Sequence, residues 1–412
     1  MGRLIVGRKL RTDVRESRTK LKAWRPSALI GALFVMSLFA VGCGSDSELT
    51  AAREDAAAAR AEAADATAEA AASASEAAAS AAAAAAATAP APLSESTVRW
   101  AGFGGMAELL FFVADDAGHF EAEGLEVERI ELGGGTNLFS ALASGSVAFT
   151  QLGTQHGIKA VSRGLDFRGI YGFSHGPNEF GVISPEAAAA AGITNDSTLA
   201  EKFEALRGLK IGTGRPGSTT TTLAIGAMEQ RGINTESDVE LVPLGSGGAL
   251  LPAYQAREID AFFWIPPETQ IAGAEEGSVL IDFRELSELA DINWAGYMTT
   301  DNYIIEHPDT VRAFIRSVLS ARRWALAHEA EALDIARARF PDLDDNVVQQ
   351  SFKIDFDSLK RSILWREDGF EQGRYILNLG LPADEPNTTL MSAVVTNKFV
   401  VEAAEELGIE IG

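Results

Sequence analysis

Leu209-Lys210-Ile211-Gly212-Thr213-Gly214-Arg215-Pro216-Gly217-Ser218-Thr219-Thr220-Thr221-Thr222-Leu223-Ala224 holds the plan of this chain in miniature. Leu209–Ile211 reads as a short buried strand, Gly212, Gly214 and Gly217 break it, and Ser218 and Thr219 suit the N-cap of a following helix. A glycine turn that feeds a helix start gathers unpaired N–H groups at the positive end of the helix dipole, which suits an anion. The spacing Gly212-x-x-x-x-Gly217 nearly matches a phosphate loop, but Ser218 stands where the lysine is needed. That substitution turns the reading from nucleotide hydrolysis to reversible anion binding. Without a ligand, the same stretch is simply a tight strand-to-helix turn.

The strand-turn-helix pattern repeats on both sides. Strands are expected at Val98–Ala101, Leu125–Leu132, Val147–Gln151 and Phe167–Phe173, with Val182–Ile183 leading away, and helices at Ala107–Ala117, Asn137–Ser144 and Gln155–Arg163. A second set runs through strand Lys210–Gly212, helix Thr219–Gln230, strand Val239–Leu244, helix Gly248–Arg257, strand Ala261–Ile265 and strand Val279–Phe283. Such alternation predicts mostly parallel sheets covered by helices on both faces. Helices follow: Pro308 marks a start, Val311, Phe314, Ile315, Val318 and Leu319 share one face, and Asp345–Trp365 and Leu390–Glu406 continue. Two α/β lobes are therefore expected, with the chain crossing at Pro185–Leu206, returning at Asn293–Asp301, and packing its C-terminal helices on the first lobe.

The apolar runs end in small residues at Gly102–Gly105, Gly133–Thr136, Gln151–Thr154, Gly212–Gly217 and Gly245–Gly248. Ligands of open α/β sheets bind at the carboxyl ends of the strands, so two facing lobes would line one cleft with these residues. The candidate ligand residues of the first lobe are Phe103, Gly104, Thr136, Thr154 and Gln155. Those of the second are Gly217, Ser218, Thr219, Thr220 and Trp264, the last closing a strand before Pro266-Pro267. Trp294 and Tyr297 are further aromatic candidates.

Composition sets the address. The formal net charge is −23; residues 1–42 carry nine Lys/Arg and two Asp/Glu, which leaves −30 on the remainder, a surface that repels nucleic acid. A basic stretch through Arg25 precedes the apolar run Ala28–Val41, too short for an ordinary membrane span and suited to a signal-peptide core. Leu38-Phe39-Ala40-Val41-Gly42-Cys43 resembles a lipobox, which makes residues 1–42 a lipoprotein signal peptide and Cys43, the lone cysteine, the lipidated residue. From Cys43 to residue 96 runs an Ala-rich spacer, with no large apolar side chain between Leu49 and Leu93. The first lobe is then expected over 97–190, the second over 191–292, and the return to the first over 293–412.

Enzymatic and metal readings are weaker. Gly102-Phe103-Gly104-Gly105-Met106-Ala107 fits a dinucleotide fingerprint, with Glu131 a poorly spaced acidic partner. Gly172-Phe173-Ser174-His175-Gly176 fits a nucleophile elbow, but Pro177-Asn178 and another extended run follow where a helix is required. A secreted serine hydrolase using Ser174 is the alternative of another class. The five histidines show no metal-ligand spacing, so no metal and no cofactor are expected.

Gly118-His119-Phe120-Glu121-Ala122-Glu123-Gly124-Leu125-Glu126-Val127 resembles the first-lobe signature of solute-binding proteins of nitrate, sulfonate and taurine ABC importers. Leu206–Gly212, Ile259-Asp260-Ala261 and His307–Phe314 resemble later parts of the same pattern, over roughly Val98–Leu381. The resemblance implies a type II periplasmic-binding-protein fold of two lobes that closes on a small molecule. It implies delivery of the ligand to a membrane permease that works with an ATPase, and the apolar patterning, complete without residues 44–92, predicts a monomer. Some members of the family bind thiamin-pyrimidine or flavin-type heterocycles, the alternative ligand. A related pyrimidine-synthesising enzyme carries a cysteine-rich motif that a chain whose single cysteine is Cys43 does not have.

Overall fold

The computed structural model describes residues 92–379 and 386–411. The signal-peptide, lipobox and spacer readings up to residue 91, Cys43 included, lie outside the described residues. The chain runs β1 (Thr97–Gly102), α1 (Leu109–Asp116), α2 (His119–Ala122), β2 (Glu126–Glu131), α3 (Gly135–Ala143), β3 (Phe149–Gly153), α4 (Thr154–Ser162) and β4 (Arg168–His175). It continues through β5 (Phe180–Ile183), α5 (Pro185–Ala191), α6 (Leu199–Glu204), β6 (Lys210–Gly214), α7 (Thr219–Glu229), β7 (Glu240–Gly245) and α8 (Gly247–Gln255). Then come β8 (Ala261–Trp264), α9 (Glu268–Gly273), β9 (Val279–Asp282), β10 (Asn293–Thr299), α10 (Asp301–Glu306) and α11 (Pro308–Ala327). The last helices are α12 (Glu329–Arg339), α13 (Asp345–Ser358), α14 (Glu367–Leu379), α15 (Met391–Val394) and α16 (Lys398–Leu407).

Two five-stranded sheets result, ordered β2-β1-β3-β10-β4 and β7-β6-β8-β5-β9. The two orders correspond position by position. In each sheet four strands share one direction, and the fourth position is held by a strand arriving from the other lobe, antiparallel to both neighbours. The sheets are mostly parallel, as expected, and are made mixed by one strand each, because β5 and β10 enter from the far lobe. Since β5 pairs with β8 and β9, the first crossing lies at 176–179, ahead of the expected Pro185–Leu206, and the second sheet begins at Phe180. Val182–Ile183 belongs to that sheet.

The elements follow from local sequence. Strand β3 is buried along its whole length, as a central strand covered on both faces must be. The expected stripe of α11, Val311, Phe314, Ile315, Val318 and Leu319, is fully buried, with Pro308 in the first turn. Phe314 stacks on Phe149 of β3, ring centroids 4.2 Å apart, so α11 is pinned to the first sheet.

Three C-terminal details differ from the sequence reading. Helix α13 ends at Ser358, and buried Trp365 lies beyond it, against Gly169, Gly172 and Gly296, where side chains would collide with the indole or meet it closely. The expected helix 390–406 is broken, since Val395 turns extended and bridges Gly169. Helix α14 does not pack on the first lobe alone: Ile376 joins the second lobe's core while Phe370 and Leu377 join a first-lobe cluster.

Candidate ligand cleft

The two sheets point their strand ends at one cavity of about 50 Å³ between the lobes. From the first lobe come Phe103 after β1, Gln151 and Gly153 of β3, and Gly135 at the start of α3. The second lobe supplies Ser218, Thr219 and Thr220 after β6, Trp264 at the end of β8 and Ile265 just after it. The antiparallel strand β10 begins at this edge, which brings Trp294 and Ala295 into the lining, and the first crossing adds Asn178. Helix α13 contributes Asp355 and Ser358.

The lobes are in contact. A Cβ at Gly153 would overlap Thr219 Oγ1 across the cleft, and one at Gly105 would lie 3.1 Å from the Pro266 carbonyl oxygen. The peptide between Pro266 and Pro267 is cis.

The start of α7 is built as the sequence suggests. Ser218 is the N-cap, and its Oγ accepts from the Thr221 N–H at 3.3 Å. Gly217 (φ +78°) turns the chain into the helix in a conformation glycine adopts without strain. The Thr219 hydroxyl is buried and has no hydrogen-bond partner. At the start of α4, Thr154 Oγ1 instead donates to the Asn293 carbonyl, tying that helix to β10.

The charge around the cavity is distinctive. Asp355 is the sole ionisable residue lining it among the described residues, and no Lys or Arg does so. Asp355 Oδ1 accepts from Asn178 Nδ2 at 3.0 Å while Oδ2 has no partner. Burial pushes its carboxyl up to about 7, against the lowering effects of that hydrogen bond and of Arg284. Glu179, on the crossing, is fully buried with both carboxyl oxygens unpartnered, and burial raises its pKa well above the usual range. His156, whose ring fills the space beside Gly135, is held near 3 by burial and then by Lys159, so it is neutral. Lys159 itself reaches toward the Gly217 turn, its Nζ 3.8 Å from where a Cβ of Gly217 would stand.

Five of the expected ligand residues therefore line the cavity, Phe103, Ser218, Thr219, Thr220 and Trp264, and so does Trp294 of the two further aromatic candidates. Thr154 and Gln155 are buried but absent from its lining, and Thr136 is half-buried away from it. Gly217 is exposed. Gly104 lies in a separate groove with Gly247 and Glu268, donating its N–H to Glu108 Oε1. Glu268 and Asp342 line that groove with Arg339, which is already paired with Asp115 and Asp116, while Arg129 beside it is taken up by Glu108 and Glu131, an acidic setting that does not suit a dinucleotide phosphate. Tyr297 is a core residue, edge-on to Trp100 and Phe314. Ser174 sits within β4, paired with Ala295, and the chain passes on to β5 with no helix, so the nucleophile elbow is not formed.

The sequence reading missed Asn178 and Asp355, and had Gln151 only as part of the strand-end run Gln151–Thr154. For Asp355 a signal existed: the buried register of α13 runs Val348, Phe352, Asp355, Phe356, and an acid in an apolar stripe calls for an explanation.

Two α/β lobes, joined by two crossings and closed over a cavity at their strand ends, define the periplasmic-binding-protein fold. The chain belongs to the NMT1/THI5-like family, whose model matches residues 108–332. It is 25% identical over 234 residues to a putative aliphatic sulfonates-binding protein of Bacillus subtilis, an alignment that spans 57% of this chain and 66% of the relative's length. Its fold matches the alkanesulfonate-binding protein SsuA of Xanthomonas axonopodis pv. citri (TM-score 0.58, 16% identity, 74% of this chain and 99% of that one). It also matches the nitrate-binding protein NrtA of Synechocystis PCC 6803 (TM-score 0.57, 13% identity, 76% and 89%).

Proposed function

We propose that this protein is the extracytoplasmic substrate-binding lipoprotein of an ABC importer, taking a small anion of sulfonate, nitrate or taurine type and delivering it to a membrane permease. The observation that carries the reading is the unpartnered Thr219 hydroxyl at the N-terminus of α7, inside a closed interlobe cavity. The printed functions of the relatives, sulfonate and nitrate binding, agree with an acceptor-rich ligand at that point. Lipidation at Cys43 would hold the protein at the outer face of the membrane; among the described residues no helix is long and apolar enough to cross one.

One experiment tests both parts. Wild-type protein should fractionate with membranes, and Cys43→Ser protein should be recovered soluble and bind a short-chain sulfonate or nitrate saturably, without turnover. A Cys43→Ser protein that stays in the membrane fraction after removal of residues 1–42 refutes the anchor, and absence of saturable binding by either anion refutes the ligand class. The rings of Phe103, Trp264 and Trp294 around a cavity without Lys or Arg favour, as second reading, a flat heterocycle of thiamin-pyrimidine or flavin type. Binding of such a heterocycle in place of the anions would establish it.

A further inference from the structure

Three residues lining the cavity carry buried side-chain oxygens without partners, Gln151 Oε1, Thr219 Oγ1 and Asp355 Oδ2, and the last two are on different elements and of opposite chemistry. Thr219 Oγ1, on a residue 8% exposed, stands at the start of α7, where the dipole favours negative charge. Asp355 Oδ2, on a residue 6% exposed, comes from α13, which packs against α1 and β4 of the first lobe. A buried carboxylate oxygen without a donor is costly, and this one borders the cavity. The protein itself supplies no cation to it. Arg284, the nearest positive influence, is committed to Asp282 through Nε at 2.9 Å and Nη2 at 2.5 Å and lies over the Phe180 ring. Phe103, Trp264 and Trp294 border the same cavity, and aromatic faces attract cations.

We propose that Asp355 selects the ligand by receiving a positively charged, hydrogen-bond-donating group, so that the preferred ligand is a zwitterion with a short apolar body rather than a simple anion. This rests on the anion reading of the α7 N-terminus given above. An ammonium at Oδ2 completes the carboxylate that Asn178 already holds at Oδ1. It also keeps the carboxyl ionised at a pH where burial alone would return its proton. A simple anion leaves that oxygen bare and brings a like charge into the same cavity.

The test compares two probes of equal length and identical anionic group, 2-aminoethanesulfonate and ethanesulfonate, titrated calorimetrically against the full chain and its Asp355→Asn variant. The aminated probe should bind wild type at least about tenfold more tightly, and the two should bind Asp355→Asn within about twofold of each other. Equal binding to wild type overturns the assignment of Asp355 while leaving the anion reading in place. An advantage that survives in Asp355→Asn also overturns it, because another group then holds the ammonium. If neither probe binds wild type saturably, the anion reading itself fails and takes this proposal with it. Asp355→Ser serves the same comparison if Asp355→Asn does not fold, and the wild-type comparison decides alone if neither does.

Discussion

A carboxyl group sealed from water resists ionising, and Asp355 shows how one such residue couples stability to pH. Its pKa is about 7 in the folded protein, raised from 3.8 mainly by burial. The native state therefore holds a proton that the unfolded chain releases from about pH 4 upward. Stability falls as pH rises between those two values and levels off above the folded pKa. Asp355→Asn keeps the acceptor for Asn178 and removes the titration. Its melting temperature should match wild type near pH 4 and exceed it by pH 8, by no more than about 4 kcal/mol of stability. Thermal melts across that range check this, and a constant difference at every pH would contradict it. None of this was visible from residue type. Lys353, Asp355 and Asp357 look alike by residue type; the register of Val348, Phe352 and Phe356 turns Asp355 inward, and the packing of α13 carries it to the cavity.

Helix α7 is the element whose function was most legible, because a turn and a cap are local chemistry. Gly217 and Ser218 specify its start within a few residues, and the helix begins at Thr219 as expected. Ser218 separates capping from binding. Ser218→Ala removes the acceptor for the Thr221 N–H and should cost about 1 kcal/mol. Ser218→Asp keeps a good cap but sets a carboxylate where the ligand's anion would sit. The aspartate variant should melt close to wild type and lose nearly all sulfonate binding, as read by thermal shift with and without ligand. Undiminished binding in Ser218→Asp would remove the anion from this helix end. Other elements were legible only in part. The sequence reading places no helix at 367–379, and which lobe its buried face meets depends on where the lobes lie; α14 touches both. The break between α15 and α16 escaped notice because Val395 leaves the helix to pair with Gly169, 226 positions earlier.

At the scale of the molecule, two lobes meet over the cavity and are joined at 176–179 and 283–292, the natural places for a hinge. Closure depends on small residues at the seam. Gly153 has φ −70°, so alanine there strains no backbone, yet its methyl would collide with Thr219 Oγ1 across the cleft. Gly153→Ala should hold the lobes apart, leaving the unliganded melting temperature within a few degrees of wild type while weakening ligand binding at least about tenfold. Small-angle scattering should show wild type contracting with ligand and the variant not; contraction in both would dismiss this seam as the stop. The sequence by itself determined the βα alternation, the glycine and hydroxyl residues at the strand ends and the caps, because these depend on neighbours within a turn or two of chain. It thereby placed Phe103, Ser218, Thr219, Thr220 and Trp264 at a common edge. Tertiary structure alone decided the rest. The return of β10 brings Trp294 to the cavity, the crossing brings Asn178, and α13 lays Asp355 against it from more than 130 residues beyond Thr219. Residue type and helix register marked Trp294 and Asp355 as residues to explain, but each placement depends on a pairing between distant segments, which is a property of how the lobes pack.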